Sequence, residues 1–129
     1  MKILLVDDEK EFVHTLAERL ETRGLKPVVA YDGEEALAKV KEDEPEIMVL
    51  DLRMPGMHGM EVLRHVKRDH PDVQVIILTG HGSEADQELA EELGASAYLQ
   101  KPVNLNRLMD AMKAAYLKLK GQPPSTEHG

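Results

Sequence analysis

The chain of 129 residues contains no cysteine, which excludes disulfides, thiolate nucleophiles and cysteine-ligated zinc. Aromatic side chains are almost as scarce. There is no tryptophan, and the aromatics are Phe12, Tyr31, Tyr98 and Tyr116, leaving little with which to stack on nucleic-acid bases. Positive charge is in the minority, with a formal net charge of −8, so the basic footprint of direct nucleic-acid binding is missing. No run reaches the roughly 18 apolar residues of a membrane span. Met1-Lys2-Ile3 opens straight into a strand-like segment rather than into a secretory leader. No membrane partner is expected, and a cytoplasmic location is. The six histidines (His14, His58, His65, His70, His81 and His128) are scattered without metal-ligand spacing. What is present fits one folded domain: hydrophobic residues make up 42% of the chain, enough for an ordinary core.

Short apolar runs alternate with longer amphipathic stretches. Lys2–Val6 reads as a strand. Lys10–Arg23 follows as a helix, its Val13, Leu16, Ala17 and Leu20 spaced to form one face, and Gly24 is its stop. Lys26–Ala30 reads as a second strand. Asp32-Gly33-Glu34-Glu35 resembles a capping box opening a helix to about Lys41. Ile47–Asp51 is a third strand, Gly59–Arg68 a helix, Gln74–Thr79 a fourth strand and Ser83–Leu93 a helix ended by Gly94. Ala97–Gln100 is a short fifth strand, and Asn104 caps a last helix faced by Leu105, Leu108, Met109 and Met112. Alternation of this kind predicts an α/β domain with a parallel sheet. Ile3–Val6, Ile47–Leu50 and Val75–Leu78 are apolar at every position, as strands are when helices cover both sheet faces. Residues 120–129 lack apolar periodicity and read as a flexible tail or linker, leaving 1–119 as the domain.

Four of these runs end on a reactive polar group: Asp7-Asp8, Asp51, Thr79 and Lys101-Pro102. Each residue alone is an ordinary strand terminator. Together, on the carboxyl edge of a doubly wound sheet where ligands bind, they make a candidate site. Three gathered carboxylates either raise one another's pKa or bind a cation, and hard oxygen donors suit Mg²⁺ or Mn²⁺. Three carboxylates, one divalent cation and the Lys101 ammonium sum to zero charge, so such a pocket can accept a phosphoryl group.

This set resembles the receiver domain of two-component response regulators, the chemotaxis-response-regulator-like kind. Val49-Leu50-Asp51-Leu52-Arg53-Met54-Pro55-Gly56-Met57-His58-Gly59 is similar to that family's phosphorylation-site signature. The resemblance implies a flavodoxin-like receiver fold with strand order 2-1-3-4-5 and five helices. It also implies that Asp51 accepts a phosphoryl group from a sensor histidine kinase or phosphotransfer protein. Asp8 and Asp51 would then ligate Mg²⁺ with the Arg53 backbone carbonyl, and Asp7 would act through water. Lys101 and Thr79 would meet the phosphoryl oxygens, and Tyr98 would be the switch aromatic that follows Thr79. A cis Lys101-Pro102 bond is implied as well. A downstream partner or output domain would read the state from the face made by the fourth helix, fifth strand and fifth helix. The chain would catalyse phosphorylation and slow dephosphorylation of its own Asp51 without being a turnover enzyme. His81 and Arg53 stand at positions that in this family tune the lifetime of the phosphoryl group.

Other readings compete. Tyr98 could be a partly buried strand tyrosine, and Gly80 and Gly82 could serve tight turns rather than loop rearrangement. The acidic helix Ser83–Leu93, with a thin face of Ala85, Leu89, Ala90 and Leu93, is either the mobile element of the switch or a solvated charged surface. A constitutive interaction module that is not phosphorylated is the alternative function. A haloacid-dehalogenase-type phosphatase would need a second aspartate at position 53, which is Arg53. A flavin carrier would want a Ser/Thr/Gly-rich loop where Asp7-Asp8-Glu9 stands.

Overall fold

The structure, a computed structural model, describes residues 1–121. Five strands alternate with five helices: β1 (Ile3–Val6), α1 (Lys10–Glu21), β2 (Val28–Ala30), α2 (Gly33–Glu42), β3 (Ile47–Leu50), α3 (Gly59–Asp69), β4 (Gln74–Thr79), α4 (Glu84–Glu92), β5 (Ala97–Gln100) and α5 (Leu105–Leu119). All strands are parallel, in the order β2-β1-β3-β4-β5. The expected doubly wound sheet with order 2-1-3-4-5 is therefore present. Successive residues of a strand point to opposite faces, and the core divides accordingly. Leu4, Val6, Met48, Leu50, Val75 and Ile77 meet Ala36 and Val40 of α2, Val62, Leu63 and Val66 of α3, and Ala90 of α4. Ile3, Leu5, Ile47, Val49, Ile76 and Leu78 meet Val13, Leu16 and Leu20 of α1 and Leu108, Met112 and Ala115 of α5. Both faces are dry, which is why the inner strands carry no polar alternation.

Several element ends shift by a residue or two from expectation, and two ends and one cap have a physical reason. The second strand is Val28–Ala30 rather than Lys26–Ala30, because Pro27 has no N–H to give a ladder and β2 is the sheet edge. Helix α1 ends at Glu21, with Thr22 as its C-cap and Gly24 at φ +84°. At Asp32 the capping box is offset. Asp32 accepts from the Glu35 N–H, but the Glu35 carboxylate accepts from the Tyr31 N–H, one residue before the cap. The reciprocal box is instead at α4, where Ser83 and Asp86 each accept from the other's N–H. The expected linker lies, from residue 122 onward, outside the described residues.

Candidate functional site

Past the ends of β1, β3 and β5 the ladder continues by one hydrogen bond. The Asp7 N–H donates to the Ala30 carbonyl at 3.1 Å, Asp51 to Val6 at 3.0 Å, and Lys101 to Thr79 at 2.9 Å. These bonds fix the backbone from which the side chains project onto one edge. Asp7, Asp8 and Asp51 meet there, offering carboxylate oxygens within 4.8 Å of one another. Asp7 and Asp51 are 4% and 3% exposed, and Thr79 is fully buried at the end of β4. The Lys101-Pro102 peptide bond is cis.

The Lys101 ammonium lies 2.7 Å from Asp7 Oδ2, 2.7 Å from Glu9 Oε1 and 3.4 Å from Asp51 Oδ2. It also sits 4.2 Å from the centre of the Phe12 ring. Neither Glu9 nor Phe12 was expected at the site. Glu9 adjoins the acidic pair in sequence, but its reach to a lysine 92 residues away depends on how the first loop meets the last strand.

Negative charge exceeds positive charge here, and protonation follows. Burial pushes the Asp7 carboxyl above the usual carboxylate range, and its bonds from Lys101 and the Glu9 N–H recover only part of that. Burial also opposes the Lys101 charge, but hydrogen bonds to Asp7 and Glu9 outweigh it and hold the ammonium above its ordinary value. Glu9, at the rim, is drawn below its ordinary value by Lys101.

The two buried carboxylates are held unequally. Asp7 is gripped by Lys101 at 2.7 Å and by the Glu9 N–H at 2.9 Å. Asp51 has only the 3.4 Å contact to Lys101 and a 3.5 Å contact from the Arg53 N–H, both at the long limit of hydrogen bonding. Its oxygens keep free lone pairs in a buried place, so this is the carboxylate able to take an electrophile or a cation. Hard carboxylate oxygens at this separation fit Mg²⁺ or Mn²⁺.

Gly59, the first residue of α3, makes this edge possible. A Cβ there would collide with the Asp51 carbonyl oxygen and come within 2.6 Å of Leu52 Cα, so only glycine lets α3 start against the end of β3. On the far side, the Thr79 hydroxyl accepts from the His81 N–H at 3.3 Å. Tyr98, on β5, packs its hydroxyl into the notch left by Gly82, where any Cβ would overlap it and would lie 3.1 Å from Thr79 Cγ2. The hydroxyl is buried, with no hydrogen-bond partner among the described residues. Burial, and then the Asp86 charge, hold its pKa above the ordinary phenol value. Thr79, Gly82 and Tyr98 therefore form one packed group.

The family model described as "Response regulator receiver domain" matches residues 3–113. The transcriptional regulatory protein CpxR of Escherichia coli is 42% identical over 113 residues, which cover 88% of this chain and 48% of that protein. The alkaline phosphatase synthesis transcriptional regulatory protein PhoP of Bacillus subtilis is 36% identical over 126 residues, 98% of this chain and 52% of the relative. The chain thus spans about half the length of these curated relatives. Among solved structures, a CheY-like receiver domain protein from Methanospirillum hungatei has a TM-score of 0.89 at 28% identity, covering 93% of this chain and 96% of the other. A response regulator from Burkholderia pseudomallei, solved with a phosphorylated aspartic acid, a calcium ion and citrate, has a TM-score of 0.83 at 29% identity. That match covers 93% of this chain and 71% of the other.

Proposed function

This chain belongs to the response regulator receiver domain family of two-component signalling, and from that premise we propose that it is a phosphorylation-dependent switch whose acceptor is Asp51. The observation that carries this reading is the contrast between the two buried carboxylates: each Asp7 oxygen accepts a short bond, whereas Asp51 has only two long contacts. A phosphoryl acceptor needs a free oxygen lone pair in a positioned, water-poor place, and phosphoryl transfer asks little else of a protein than position and charge neutralisation. The donor is a phosphohistidine on a sensor histidine kinase or phosphotransfer protein. An Asp51 oxygen forms a bond to phosphorus while the phosphorus–nitrogen bond breaks, its electron pair staying with the imidazole nitrogen, which then takes a proton. The product is an aspartyl phosphate.

Asp8 and Asp51 would hold Mg²⁺, with the Arg53 carbonyl as a further oxygen donor and Asp7 acting through water; Mn²⁺ fits the same donors. When bound, the ion supplies the positive charge that the acidic cluster lacks. Lys101, already beside Asp51, donates a hydrogen bond to the arriving phosphoryl group. Thr79 retains a hydroxyl proton to donate, and turning toward the phosphoryl oxygens moves it relative to Gly82 and Tyr98. That motion carries the signal to the face formed by α4, β5 and α5, where a downstream partner or output domain reads it. The chain acts on its own Asp51 and is not a turnover enzyme. Among the described residues no helix is long and apolar enough to cross a membrane, in keeping with the cytoplasmic location proposed here. Residues 1–119 would be the domain and 120–129 a tail or linker. The phosphorylated aspartic acid in the similar Burkholderia pseudomallei structure supports the same chemistry.

Backbone amide NMR with acetyl phosphate and Mg²⁺ tests the switch. Phosphorylation is expected to shift resonances through Ser83–Lys101; changes confined to the immediate neighbours of Asp51 would refute the coupling.

A further inference from the structure

Glu9 has no part in the roles assigned above, yet its carboxylate holds Lys101 as closely as Asp7 does, 2.7 Å against 2.7 Å, and more closely than Asp51 at 3.4 Å. An ammonium has three N–H donors, and these three carboxylates account for all of them. Their environments differ. The side chains of Asp7 and Asp51 are 6% and 2% exposed, whereas that of Glu9 is 59% exposed. Releasing Asp7 would leave a buried carboxylate with the Glu9 N–H as its one remaining partner; releasing Glu9 returns one to water. The placement of Glu9 is also unusual for its position. It is the N-cap residue of α1, where an acidic side chain ordinarily bonds the first turn, but it makes no cap hydrogen bond. Its backbone is pinned by its N–H to Asp7 Oδ1 and its carbonyl to the Val13 N–H, so the side chain projects to Lys101 from a fixed base.

We propose that Glu9 is a positioning residue that restrains Lys101 and competes with the phosphoryl group for its ammonium, setting how readily Asp51 is phosphorylated. This rests on the reading of Asp51 as acceptor and Lys101 as the partner of the phosphoryl oxygens. An anion arriving at Asp51 draws Lys101 away from Glu9, the one partner that can be given up without costing a buried carboxylate a bond. Removing the Glu9 carboxylate frees one N–H of the ammonium, which keeps Asp7 and can turn the other donors to Asp51 and the incoming group.

The test is the second-order rate constant for phosphorylation by acetyl phosphate with Mg²⁺, read by intact mass, in wild type, Glu9→Gln, Glu9→Asp and Glu11→Gln. Glu9→Gln is expected to raise the constant by up to about fivefold, the scale of a partly exposed ion pair. Glu9→Asp keeps the charge but loses the reach, and is expected to raise it too. Glu11→Gln removes a charge from the first turn of α1 without touching Lys101, and is expected to match wild type. The Lys101 Nζ resonance of the resting protein should shift in both Glu9 variants, which a purely structural role would not produce. Equal rates for wild type and Glu9→Gln would overturn the role of Glu9, as would the same gain in Glu11→Gln or a Glu9→Asp rate that tracks wild type. A wild type that takes no phosphoryl group overturns the acceptor reading, and the role of Glu9 with it.

Discussion

Asp7 and Asp51 are the same residue type, each one position beyond a buried strand, and the residues around them give them different chemistry. Asp7 carries the burial penalty, its carboxyl held above the ordinary range. The consequence for stability has a definite sign. Below the unfolded aspartate value, about pH 4, Asp7 is neutral in both states and its burial costs little. As pH rises through the higher folded value the charge must be accommodated, and Asp7 makes the folded state progressively less favourable. Asp7→Asn is therefore expected to gain melting temperature over wild type between about pH 4 and neutrality, in buffer free of divalent cations. Lys101 stays charged throughout this window, so the loss of its partner adds only a constant offset. A gap that stays flat or narrows with rising pH would contradict the assignment. The carboxylates, Thr79 and Lys101 were legible in the sequence because they follow apolar runs. Glu9 was not, because nothing local says that a charged residue in the first loop will find an ammonium beyond the fifth strand.

Helices α3 and α4 show how the elements share labour. Helix α3 buries Gly59, Met60, Val62, Leu63 and Val66, and its first residue touches the backbone that carries Asp51. Helix α4 buries only Ala90 and has no basic residue in its last turn, so its acidic surface and carboxyl-end dipole are uncompensated. Burying so little apolar area holds a helix weakly. The Glu84–Glu92 amides are expected to exchange with solvent faster than those of Gly59–Asp69; equal protection would remove the case for α4 as the moving element. The thin face of α4 was visible in its sequence. The offset cap at Asp32 was not, and neither was the shorter β2, since Lys26–Ala30 is strand-like in composition and an edge strand can tolerate a proline, so Pro27 did not by itself fix where β2 begins.

For the whole molecule, the fold's task is to bring together residues 50 and 94 positions apart, the separations of Lys101 from Asp51 and from Asp7. The sheet order does this by placing β1 beside β3, β3 beside β4 and β4 beside β5; apolar strands between helical stretches foretold a parallel sheet covered on both faces, whereas the order itself was implied only by the resemblance to receiver domains. The assembled edge has more carboxylates than cations in a chain of net charge −8, so cation binding and folding should be linked. At about ten times its dissociation constant, Mg²⁺ is expected to stabilise the fold by about 1.4 kcal/mol, seen as a higher melting temperature that Asp8→Asn diminishes. An unchanged melting temperature in millimolar Mg²⁺ would count against the site. The most direct measurement is intact-mass spectrometry after incubation with acetyl phosphate and Mg²⁺, wild type beside Asp51→Asn. The wild type should gain about 80 Da, one phosphoryl group, and Asp51→Asn should gain nothing; the same adduct on Asp51→Asn, or none on the wild type, would contradict Asp51 as the acceptor.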